Sequence, residues 1–148
     1  MKPSTPRPDA LKAALKDRIL VIDGAMGSMI QEYKLEEAAY RGERFAEHNL
    51  PLQGNHDILC LTRPEIVEEV HRNYLLAGSD IICTNTFNAT TIAQADFGTE
   101  NICFEINKAS AEIAKRVASE FSTEAKPRYV AGSVGPTNRT ASLSPDVN

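Results

Sequence analysis

A chain of 148 residues with 42% hydrophobic and 24% charged side chains is enough for one modest globular domain and excludes wholesale disorder. Sixteen basic against twenty acidic side chains leave a formal charge of −4 without a basic stripe, which argues against nucleic acid or an anionic membrane as partner. Nothing approaches the roughly 20 apolar residues of a membrane span, and three cysteines without short spacing, Cys60, Cys83 and Cys103, suit a reducing compartment.

The N-terminal "MKPSTPRPDA" has no apolar stretch of signal-peptide type, so the expected location is the cytoplasm. Residues 1–17 read as a Pro-rich tail and a short helix, with Asp9 as its N-cap and Leu11, Ala14 and Leu15 on one side. Residues 18–22, with Ile19, Leu20, Val21 and Ile22 in unbroken succession, predict a strand buried on both faces. A polar stretch over 28–55 follows, with helix-forming material near 29–39, and "HDILCL" reads as a short extended piece.

Thr62, Arg63, Pro64 and Glu65 fit a capping box with proline in the first turn. Ile66, Val67, Val70, Tyr74 and Ala77 then recur at helical spacing, His71 is expected on that helix's surface, and Gly78 stands where a C′ glycine belongs. "IICTNTF" predicts a second strand that turns polar at its end. The spacing of Ile102, Ile106, Ala109, Ile113, Val117 and Phe121 predicts a long helix over 101–121, which Pro127 stops before a third strand in "RYVAGSVGPT". Strands alternating with helices, joined by long crossovers, imply an α/β fold with parallel strands, either doubly wound or part of a (β/α)8 barrel.

In both folds ligands lie beyond the C-terminal ends of the strands. All three strands end in glycine or polar residues: Asp23 to Gly27, then Thr84, Asn85 and Thr86, then Gly132 to Thr137. Gly24 and Gly27 give G-x-x-G rather than a dinucleotide fingerprint, and a carboxylate directly before them repels phosphate and attracts ammonium. Asp23 by itself is equally a structural carboxylate that accepts backbone N–H bonds. The cysteines lack partners at metal-ligand spacing, and Cys83 reads as a small buried strand residue. His48 and His56 read as loop residues, and Tyr74, Phe87 and Phe104 as packing rather than stacking platforms.

"VIDGAMGSMIQ", "NHDILCLTRPEIVEEVHRNYLLAGSDIICTNTFNATTIAQADFG" and "VAGSVGPTNRTASLSP" together resemble the homocysteine S-methyltransferase family. The likeness is greatest to the N-terminal homocysteine-binding domain of its cobalamin-dependent, methionine-synthase branch. It spans about residues 18–148 and implies a TIM-type (β/α)8 barrel that binds homocysteine at the strand ends, with zinc held by three cysteines at the substrate sulfur. It implies further that methylcobalamin is the methyl donor, regenerated with the help of folate and cobalamin modules. Asp23 would receive the homocysteine ammonium, Gly24 and Ala25 would let the backbone approach the amino-acid end, and Thr84, Asn85, Thr86 and Gly135 would line the rim. Asn88 stands where the betaine-dependent branch carries tyrosine, which favours the cobalamin branch.

The departures are as informative. The family's zinc cysteines come from the sixth and eighth strands, and none of Cys60, Cys83 or Cys103 matches them. Residues 18–148 therefore read as an incomplete barrel of about three βα units. No zinc or cobalamin is expected to bind this chain alone, which is expected to be marginally stable and inactive in methyl transfer. Two alternatives stand beside this reading: a betaine- or S-methylmethionine-dependent relative, and a non-catalytic half-barrel that pairs with another chain across its open third strand.

Overall fold

The computed structural model describes residues 8–137. Most of the Pro-rich tail, and the part of the third resembling segment beyond Thr137, lie outside the described residues. In chain order the elements are α1 (Pro8–Asp17), α2 (Met26–Gln31), α3 (Glu37–Arg41), α4 (Leu59–Thr62), α5 (Pro64–Ala77), β1 (Ile81–Cys83), α6 (Thr91–Gln94), α7 (Cys103–Phe121) and β2 (Tyr129–Ala131). Among the described residues no helix is long and apolar enough to cross a membrane.

β1 and β2 pair in parallel, with Ile81, Ile82 and Cys83 opposite Tyr129, Val130 and Ala131. On the other side of β1, Ile22 makes a single parallel bridge to Ile81. Three extended segments therefore lie side by side in chain order, as the alternation of strands and helices predicts. The small parallel sheet and its helical crossovers make this a mixed α/β arrangement.

The helices cover one face. Ile82 is fully buried and packs with Leu75 of α5 and Ala114, Val117 and Ala118 of α7. Because strand side chains alternate, Ile81 and Cys83 point to the opposite face. A second apolar cluster joins Ile66, Val67 and Val70 of α5 to Ile113 of α7 and to Ile30, Tyr40, Leu52, Ile58 and Leu59 from the first crossover. Each such buried aliphatic contributes about 1.5–3 kcal/mol. Along the exposed seam between α5 and α7, Glu68 pairs with Arg116, and Arg72 with Glu120 at 3.0 Å.

Gly78 ends α5 as its position predicts: at φ 114° it is left-handed, and the N–H groups of Gly78 and Ser79 close on the carbonyls of Leu75 and Tyr74. Other expectations are corrected. The capping box does not form, because Thr62 is already the last residue of α4, where its hydroxyl bonds back to the Ile58 carbonyl at 3.4 Å. "HDILCL" is helical, a 3-10 turn at His56–Ile58 running into α4, since an apolar run this short fits either period and packing decides. His71 is fully buried, not on the surface: it follows Val67 by one helical turn and so shares the apolar stripe. Phe87 and Phe104 are exposed rather than packed.

The strand at 18–22 is likewise shorter and less covered than its apolar run implies. Asp80 Oδ2 takes the Val21 N–H at 2.9 Å and so starts the ladder with a side chain. Asp80 also accepts both Arg18 guanidinium nitrogens, at 2.8 and 2.9 Å. Only Ile22 remains to bridge. Ile19, Val21 and Ile22 are exposed because no described element lies on the far side of this segment.

Candidate functional site at the strand ends

In a parallel ladder every second residue bonds to a given neighbour, its N–H and C=O reaching the two residues that flank its partner. The first junction follows this rule through Ile81 N–H to the Val21 carbonyl at 3.1 Å and Asp23 N–H to the Ile81 carbonyl at 2.9 Å. The next bond should run from Cys83 N–H to the Asp23 carbonyl. It runs instead to Asp23 Oδ2, at 2.8 Å. A side-chain oxygen replaces the backbone acceptor, so the chain can leave the sheet at Gly24 without orphaning a strand N–H.

The second junction ends in the same way. Thr84 N–H reaches the Ala131 carbonyl at 2.9 Å, and then Ser133 N–H goes to Thr84 Oγ1 at 2.9 Å rather than to its carbonyl. Thr86 Oγ1 donates to the Ser133 carbonyl at 2.8 Å and lies 2.6 Å from Thr84 Oγ1, so the Thr84 proton must point at Thr86. Both hydroxyl protons are committed inside the protein. To a ligand these threonines can offer only lone pairs.

Asp23 is polarised between its two oxygens. Oδ2 is held by Cys83, while Oδ1 is buried with no hydrogen-bond partner among the described residues. Burial pushes the carboxyl above its ordinary range, against the opposing pull of Cys83. Beside it, burial and then the Asp23 carboxylate push the Cys83 thiol up to about 12. A buried, half-satisfied carboxylate is costly unless a cation meets it.

The structure thus gathers some of the sequence-derived site residues and separates others. Asp23 ends the first junction against Cys83, while Thr84 and Thr86 end the second, meeting at Ser133. Gly24 and Ala25 follow Asp23 and are exposed, and a Cβ on Gly24 would lie 3.7 Å from the Tyr74 hydroxyl. Asn85 is turned into the helical layer, its amide donating to the His56 carbonyl at 2.8 Å and its N–H to Ser110 Oγ at 2.7 Å. Gly135 donates to the Phe87 carbonyl at 3.0 Å; a Cβ there would run into that oxygen and come within 2.9 Å of the Phe87 ring, so only glycine fits.

Two partners at the junctions were not assigned from the sequence: Cys83, read there as a small buried strand residue, and Ser133, read only as part of the third strand's ending. Asp57 Oδ1 accepts the Asn88 N–H at 3.0 Å, and burial pushes its carboxyl up to about 6. The backbone register that brings Cys83 and Ser133 to the site has no single-residue signature.

The cysteines do not fit a common metal site. Cys60 is buried under Asn85, Cys83 lies against Asp23, and Cys103 begins α7. Among the described residues no group of three His, Cys, Asp or Glu side chains is placed to hold a metal ion.

Comparison with known proteins bears on the family. A family model described as homocysteine S-methyltransferase matches residues 20–148. Among solved structures, the chain is similar to the homocysteine methyltransferase MmuM from Escherichia coli. For the metallated form the identity is 25% and the TM-score 0.65, covering 85% of this chain and 41% of that one. For the oxidized form the identity is 27% and the TM-score 0.66, covering 85% and 40%. The chain therefore spans about two-fifths of the length of the structures it matches. It belongs to the homocysteine S-methyltransferase family.

Proposed function

We propose that this chain supplies the amino-acid end of a homocysteine site, with Asp23 receiving the substrate ammonium. One observation carries the reading: Asp23 Oδ1 is buried and has no partner among the described residues, while Oδ2 is fixed by Cys83. An ammonium placed there supplies the missing donor and the missing charge together. Gly24 and Ala25, exposed beside Asp23, leave room for the substrate backbone.

In the whole protein the reaction would be methyl transfer to the homocysteine sulfur, giving methionine in the cytoplasm. Methylcobalamin is the favoured donor, on the resemblance and on Asn88, with betaine or S-methylmethionine as alternatives. Zinc and the donor-binding machinery would belong to residues other than those described.

Calorimetric titration tests the site directly. L-homocysteine should bind the chain, N-acetyl-homocysteine should not, and Asp23→Asn should weaken binding at least about tenfold, the usual value of a hydrogen bond to a charged group. Equal binding of the acetylated compound, or an unaffected Asp23→Asn variant, would refute the assignment. A second reading, a half-barrel completed by another chain, is favoured by the exposure of Ile19, Val21 and Ile22 at one sheet edge and Val130 at the other. Sedimentation showing only monomer over a wide concentration range counts against association of this chain with itself.

A further inference from the structure

We propose that Asp57 is a positioning residue for the rim of the strand-end site. From the helical layer it fixes the peptide between Phe87 and Asn88, and through that one peptide it places the loop after β2 at Gly135. The proposal rests on the reading of the strand ends as the homocysteine site and names what holds their last loop in place.

Asp57 belongs to the 3-10 turn ahead of α4 and is buried. Its Oδ1 accepts the Asn88 N–H at 3.0 Å. The other edge of the same peptide is the Phe87 carbonyl, which accepts the Gly135 N–H, also at 3.0 Å. The peptide is trans and planar, so its N–H and C=O point in opposite directions and move as one plate. A peptide that donates to a carboxylate is also polarised into a better acceptor at its own oxygen. Asp57 and Gly135 are therefore joined through a single rigid group.

The plate is braced from the helical side. Gln94 is fully buried and donates its amide to the Asn88 carbonyl at 3.1 Å. It is itself fixed by reciprocal bonds with the buried Asn55 at 2.8 and 3.1 Å, and by Thr99 Oγ1 at 2.6 Å. Asn107 Nδ2 holds the Ala89 carbonyl at 2.7 Å. Reversing the chain needs none of this, because the bond from Ala89 N–H to the Thr86 carbonyl at 3.2 Å already closes the turn. A buried carboxylate is costly, and here it is spent on the one peptide that reaches the next loop.

The groups facing Asp57 are thiols. Burial pushes Cys60 of α4 up to about 11 and also raises Cys103 of α7, where Glu100 adds to it; the charge of Asp57 acts on both in the same direction. Both are neutral near neutral pH. His56, its chain neighbour, is lowered by burial and stacks on Tyr40. Asp57 itself is raised by burial to about 6, against the pull of the Asn88 N–H. Above that value the bond to Asn88 is charge-assisted; below it the carboxyl is neutral and the hold on the plate weakens.

Proton–nitrogen correlation spectra recorded while the pH is lowered from about 8 to about 5 test the relay. In the parent chain the Asn88 and Gly135 amide signals should move together with one midpoint near 6. In Asp57→Asn, which keeps an acceptor but loses the titrating group, both should stay fixed. Asp57→Ala should speed hydrogen exchange at both amides about tenfold without changing Ile106 in α7, and should weaken L-homocysteine binding by a similar factor, most of which Asp57→Asn restores. Should Asp57→Ala fail to fold, the titration of the parent against Asp57→Asn still decides.

A Gly135 signal that stays fixed while Asn88 titrates, or one that titrates equally in Asp57→Asn, would overturn the relay. Homocysteine affinity unchanged in Asp57→Ala would remove this loop from the site and overturn the positioning role. If the parent chain fails to bind homocysteine, the substrate reading falls, and the amide titration settles the link from Asp57 to Gly135 by itself.

Discussion

Two fully buried titratable groups pull the acid stability of this chain in opposite directions, and each can be removed separately. His71 is buried, its ring nitrogens have no partner among the described residues, and burial lowers its pKa from 6.5 to about 4, Glu68 opposing weakly. Its folded value lies below its unfolded one, so the unfolded chain binds more protons between these limits. Stability is full above pH 6.5 and is lost as pH falls toward 4. Two and a half pH units correspond to about 3 kcal/mol.

Asp57 has the opposite sign. Burial raises its carboxyl from 3.8 to about 6, so the folded chain binds the proton first, and stability is gained as pH falls from 6 toward 3.8, again by about 3 kcal/mol. The two contributions nearly cancel between pH 7 and pH 4. Urea unfolding followed by far-UV circular dichroism at a series of pH values should therefore show His71→Leu gaining about 3 kcal/mol relative to the parent on acidification. Asp57→Asn should lose about as much, its amide oxygen still able to accept the Asn88 N–H. Because every lowered carboxylate is common to all three proteins, only the differences matter. Variants whose stability tracks the parent across this range would refute the assignment of these two groups as the opposing pair.

Other outcomes follow from single contacts. Asp80→Ala removes the acceptor that joins Arg18 and Val21 to β1, so amide exchange at Val21 and Ile81 should rise while that in α7 stays unchanged. Gly135→Ala forces the loop after β2 away from Phe87, and should cost about 1–3 kcal/mol, read as a lowered urea midpoint. Ile82→Ala opens a cavity between the sheet and α7 and should cost roughly 2–5 kcal/mol, larger than any substitution in the exposed ion pairs along α5.

Periodic features were legible and contextual ones were not. The stripes of α5 and α7 could be read because helical spacing over four turns has no competing explanation, and Gly78 because only one backbone conformation suits its place. His71 was misjudged because a polar side chain on a stripe position looks like an interruption of the stripe; spacing from Val67, not residue type, gave its location. The capping box failed for a different reason. Its threonine was already helical in α4, and a hydroxyl bonded to Ile58 cannot also cap the next helix. Asp23 was legible as a carboxylate at a strand end, with a structural and a binding role both open. The structure shows the structural role, on Oδ2; the binding role proposed for Asp23 would fall to Oδ1.

That double role explains why the strands run straight into polar residues. A parallel strand that stops leaves the next N–H of its neighbour without an acceptor, and burying that N–H unpaired costs about 1–3 kcal/mol. Asp23 and Thr84 each remove this cost by turning a side-chain oxygen back onto the ladder, to Cys83 and to Ser133. Residues able to do this are short and oxygen-bearing, and they sit by necessity where parallel strands end. A carboxylate in that position has a second oxygen left over; a hydroxyl has a lone pair. The chemistry that ends the strands therefore supplies acceptors at the rim, and a cationic group is the ligand such acceptors select. The ammonium-binding role proposed for Asp23 would in this sense be a consequence of how the sheet is terminated, before any residue is assigned to substrate.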